Sequence, residues 1–120
     1  MDEKVKEILD SYIKERGAAP LYLEILAEYN PDALKDWYSF RKRIFEEGVI
    51  PRKYKELFVM SMCFARLYPG GEAHMKAAIE YGATKEEIFE AILLTIPGVG
   101  VPAFSTATRA LKNLEKNVKK

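Results

Sequence analysis

The chain of 120 residues has a single histidine, His74, within the stretch YPGGEAHMKAAIEYGAT, residues 68–84. An imidazole titrates near neutrality, so it is the side chain best suited to give or take a proton there. Gly70, Gly71, Ala77 and Ala78 lie three and four residues away on the same helical face. None of them can ligate a metal, which excludes a local helical site of the kind that pairs His with His or Glu. All four are small, so room for a substrate beside the ring is expected. The helix starts just before His74, and its positive end favours a neutral ring and any bound anion. The plain alternative is a histidine hydrogen-bonded in a core or an interface.

Glu56 is the second candidate. It leads directly into the apolar run LFVMSMCF, residues 57–64. A carboxylate carried inward there could orient a histidine or act as an acid or base, whereas a solvated first turn is the ordinary reading. Cys63 lies inside the run, where a thiol is usually a small, inert hydrophobe. Arg66 and Tyr68 offer a cation and a hydroxyl beside the Pro-Gly-Gly break and are candidate pocket residues; more often such residues are simply surface. The PGVGVP stretch, residues 97–102, fits neither GxGxxG nor GxxxxGK[ST] and follows a helix rather than a strand, so it is no phosphate loop. It reads as a break where backbone approaches a neighbouring helix.

The elements that must hold these residues are all helical. Val5, Ile8, Leu9, Tyr12 and Ile13 recur at helical spacing before Gly17. Pro20 suits the first turn of a short second helix, and Asn30-Pro31-Asp32 caps a third. The run from Leu57 to Phe64 has one polar residue and no charge, so it predicts a central helix or one buried between subunits. A fifth helix spans 72–81 before Gly82, Thr84 with Glu87 forms a capping box for the sixth, and a last helix carries Phe104, Ala107, Leu111 and Leu114. No segment reads as a strand and no period of 20–50 residues repeats. The class is all-α.

Composition narrows the partners. Nineteen basic and 18 acidic side chains leave a net charge of +1, without the basic surplus of a dedicated nucleic-acid binder. One cysteine rules out an intramolecular disulfide and the usual multi-cysteine zinc site. No stretch approaches the roughly 20 apolar residues that cross a bilayer. MDEKVKEILD is charged and lacks an apolar core, so no signal peptide and a cytoplasmic location are expected. At this length the chain is expected to form one domain.

Two motifs then carry a resemblance. H-x-K-A-A-x-x-x-G-A-T-x-E-E-I over residues 74–88 and A-x-L-L…P-x-x-G-x-P-A over residues 91–103 resemble the carboxymuconolactone decarboxylase family, which includes the alkylhydroperoxidase D-like proteins. The resemblance covers roughly residues 51–112 and leaves 1–50 outside. It implies a helical bundle of about six to seven helices built on an antiparallel helix hairpin, assembled as a homo-oligomer, trimer or hexamer. The family's peroxidase branch uses C-x-x-C-x-x-x-H with a glutamate relay in the preceding helix. Counted back from His74, the cysteine positions hold Leu67 and Gly70, while Glu56 falls within one residue of the relay position. Dithiol peroxidase chemistry needs one thiolate to attack and one to resolve, so the missing pair disfavours it.

The decarboxylase branch lacks the thiols and keeps the histidine. The resemblance therefore implies a lyase that decarboxylates a small carboxylated lactone, with His74 as general acid and Glu56 orienting it. Arg66, Tyr68, Gly70 and Gly71 would bind the substrate, and neither a metal nor an organic cofactor is needed. The reading from a different class is a non-catalytic oligomeric scaffold or ligand-binding protein. The two readings differ in solvent access: a scaffold would bury His74 and Glu56 apart, whereas an enzyme needs them close together, lining a pocket.

Overall fold

The computed structural model describes residues 2–118, in which eight α-helices and no strand occur. The chain divides into two compact units, residues 1–48 and 49–120.

The first unit holds α1 (Glu3–Arg16), α2 (Leu21–Tyr29) and α3 (Pro31–Glu46). Asp2 caps α1 by accepting from the Lys4 and Val5 amides, and Gly17 closes it in the left-handed conformation at φ 85°. Asn30 caps α3 through the Ala33 amide, with Pro31 at the first helical position. Val5, Ile8, Tyr12, Leu23 and Leu34 meet in its core.

The second unit holds α4 (Arg52–Ala65), α5 (Gly71–Glu80), α6 (Lys85–Leu93), α7 (Thr95–Val99) and α8 (Val101–Val118). Its core is Leu57, Met60, Phe64, Met75, Ala78, Ile88, Ile92 and Ala107, at helical spacing on α4, α5, α6 and α8. α4 packs against all four other helices, as its apolar sequence demands. It is not buried all round in this chain: Glu56, Leu57, Met60 and Phe64 face inward, whereas Phe58 and Met62 are 57% and 59% exposed. The capping box at Thr84 and Glu87 is present in both directions. The PGVGVP break turns out to include the end of a helix. Pro97 sits in the first turn of α7, where no amide is called for, and Gly100 ends that helix at φ 102°.

α4 and α5 form the hairpin that positions His74. α4 ends one turn before the Pro-Gly-Gly stretch, where the Tyr68 amide donates to the Cys63 carbonyl and the Leu67 amide to that of Phe64. This is a Schellman closure with Leu67, not glycine, in the left-handed conformation at φ 57°. The helices then run antiparallel, with Phe64 against Gly71 at the closed end and Arg52 against Tyr81 at the open end. A Cβ on Gly71 would come within 2.7 Å of the Phe64 ring, so α5 can approach α4 only because that side chain is absent. Gly71→Ala is expected to cost about 1–3 kcal/mol through overpacking, measured by denaturant unfolding.

Candidate functional site

The hairpin brings Glu56 and His74 together. Glu56 stands on the inward face of the second turn of α4, and His74 is the fourth residue of α5. His74 Nδ1 lies 2.8 Å from Glu56 Oε2. The other carboxylate oxygen, Oε1, accepts from Arg52 Nε at 3.0 Å. Arg52 is one helical turn before Glu56, and its guanidinium lies 4.5 Å from the centre of the Tyr81 ring, within cation–π range. Glu56 is 1% exposed and His74 9%.

Removing a carboxylate from water favours its neutral form. Burial accordingly pushes the Glu56 carboxyl up, but the hydrogen bonds and charges of His74 and Arg52 outweigh it and hold the group below the usual carboxylate range. The result is an ionised, buried carboxylate whose two oxygens are bonded to different partners. Such a carboxylate fixes the orientation of the imidazole.

The remaining candidates lie elsewhere. Arg66 is the C-terminal cap of α4 and is exposed; Tyr68 is 55% exposed. The room expected beside Gly70 and Gly71 is occupied, since a Cβ on Gly70 would meet the Tyr68 ring and one on Gly71 the Phe64 ring. Ala78 is a core residue. Cys63 is half-buried near the end of α4. Arg52 and Tyr81 belong to the constellation, although the sequence reading passed over both. A signal existed for Arg52, because an arginine four residues before a glutamate is a helical ion pair. None existed for Tyr81, which meets Arg52 only through the hairpin.

A separate open groove of about 330 Å³ runs along the outer face of α4 between Tyr54, Phe58, Met62, Leu94 and Val99. It contains no charged residue and neither member of the pair. Among the described residues, no group of three or more His, Cys, Asp or Glu side chains could hold a metal ion. No helix there is long and apolar enough to cross a membrane.

Comparison with known proteins shows the family of the chain. A sequence profile of the carboxymuconolactone decarboxylase family matches residues 31–113, more than half of the chain and reaching back into α3. The chain belongs to that family. It is also similar to a crystal structure from Burkholderia xenovorans LB400 whose protein carries the provisional name carboxymuconolactone decarboxylase. That similarity has 28% identity and a TM-score of 0.76 over 96% of this chain and 93% of the other. No curated protein matches the chain.

Because the Glu56 carboxyl is held below its ordinary value of 4.5, its stabilisation is complete above that pH. It is lost as the pH falls through the depressed folded value. Glu56→Gln should therefore cost about 1.5–3 kcal/mol at neutral pH. The gap between native and variant unfolding curves should narrow progressively in acid.

Proposed function

We propose that the chain is a cofactor-independent decarboxylase of a small carboxylated lactone, with His74 as the general acid and Glu56 as the carboxylate that orients it. The observation that supports this most is the buried bond between Glu56 and His74, on the hairpin of a carboxymuconolactone decarboxylase fold. In the proposed reaction the bond from carbon to the substrate's carboxylate breaks and carbon dioxide leaves. The electron pair passes into the conjugated lactone, which is its own electron sink. The imidazolium of His74 then gives its proton to carbon, forming the enol-lactone, and takes another from solvent. The exposed guanidinium of Arg66 is the cation assigned to the substrate carboxylate, with the Tyr68 hydroxyl two residues on; Gly70 and Gly71, covered by the Tyr68 and Phe64 rings, offer no substrate space.

Two features favour this over a purely structural role. Replacing a buried ion pair with apolar side chains of similar volume is often neutral or stabilising, so stability alone gives little reason to keep one. In addition, the pair is in contact rather than buried apart, although the groove on α4 does not include it. Peroxidase chemistry has no support here, because Leu67 and Gly70 stand at the thiol positions. The activity test is turnover of 4-carboxymuconolactone. His74→Ala should lower it by at least about a hundredfold, the usual scale of a lost general acid. Equal turnover by native and variant protein would end the assignment.

The same reading includes a cytoplasmic location and assembly as a homo-oligomer, a trimer or hexamer. Supporting assembly, Phe58, Met62 and Leu94 expose a contiguous apolar face around the outer groove of α4. Light scattering after size-exclusion chromatography should give three or six chains per particle. A double change of Phe58 and Met62 to Glu should lower that mass.

A further inference from the structure

Glu56 is more deeply buried than the histidine it orients, and a carboxylate in that position needs more than one partner to stay charged. Both oxygens are engaged, one by each neighbour. His74 cannot supply the compensation throughout its cycle, because as a general acid it must give up its proton and become neutral. At that moment an isolated buried anion would remain. A fixed cation that never deprotonates solves this, and a guanidinium is such a group.

We propose that Arg52 is the positioning residue of the pair: its Nε–H, with the guanidinium braced on the Tyr81 ring, holds Oε1 so that Oε2 always faces His74 as a carboxylate. The inference rests on the proposed acid role of His74 for its consequence, but not for its geometry. Arg52 Nε is 3.0 Å from Oε1 and the guanidinium is 4.5 Å from the Tyr81 ring centre. The Tyr81 ring is thus a second, neutral anchor for the guanidinium. Several other charges of this unit have partners of their own. Lys53 on α4 pairs with Glu87 of α6 at 3.1 Å. On α8, Glu115 takes Lys112 and Lys85, and Asn113 donates to Glu72 of α5. α7 contains no charged residue. The side chains that lower the Glu56 carboxyl against its burial are His74 and Arg52.

The experiment follows the Glu56 carboxyl carbon by NMR in protein labelled with 13C-glutamate. The resonance is identified as the one absent from Glu56→Gln. In Arg52→Gln the pH at which Glu56 takes up its proton should rise by about one unit or more, a tenfold change in proton affinity. Arg52→Lys keeps the cation and should restore at least half of that shift. If Arg52→Gln does not fold, Arg52→Met preserves the packing on Tyr81 and is read in the same way. An unchanged or lowered Glu56 titration in a folded, uncharged variant overturns the proposal. So does a shift in Arg52→Lys as large as in Arg52→Gln. No substrate is present, so this result is independent of lactone turnover. Loss of the decarboxylase reading would leave it standing, and its failure would leave that reading intact.

Discussion

A single buried carboxylate constrains the second unit of this protein. Taking an ion of that size out of water costs several kcal/mol even after the protein relaxes. Glu56 is nevertheless on the inward face of α4, in the same row as Met60 and Phe64. The cost is offset only if donors meet both oxygens and one of them is a permanent cation. The hairpin must therefore close tightly enough to bring α5 into reach, and the start of α4 must point its arginine along the same face.

The rest of the unit serves that closure. Gly71 allows the Phe64 ring to lie against the backbone of α5. The left-handed Leu67 ends α4 within two residues, so the return helix begins almost at once. Tyr81, just beyond the last residue of α5, is at the far end of the hairpin, where it meets Arg52. α6 and α8 supply Ile88, Ile92 and Ala107, which complete the apolar shell around Met60 and Met75 and leave the Glu56 carboxylate little water. Leu67 and Gly70 shape the turn between the helices, and the acid and the histidine meet across it.

The outer face of α4 follows a different logic. A helix with apolar residues nearly all round has more hydrophobic surface than one core can cover, and the excess emerges at Phe58 and Met62. That surface has no charge with which to hold an anionic substrate.

Much of this was legible in the chain itself, because the signals were local. The caps at Asn30 and Thr84, the stop at Gly17 and the helical spacing of the apolar residues each depend on neighbours within four positions. The sequence therefore determined the all-α class and the starts of α2, α3 and α6. The spacing of Glu56 and His74 was also visible, through resemblance, as a pair with a shared role. Tertiary structure alone decided three further points. Contact between Glu56 and His74 depends on the closed hairpin, whose geometry a side-chain pattern does not specify. The glycines that promised substrate space proved to be filled by rings from Phe64 and Tyr68, which are not their helical neighbours. The Arg52–Tyr81 contact joins residues 29 apart in sequence, and long-range packing of that kind leaves no mark in local periodicity.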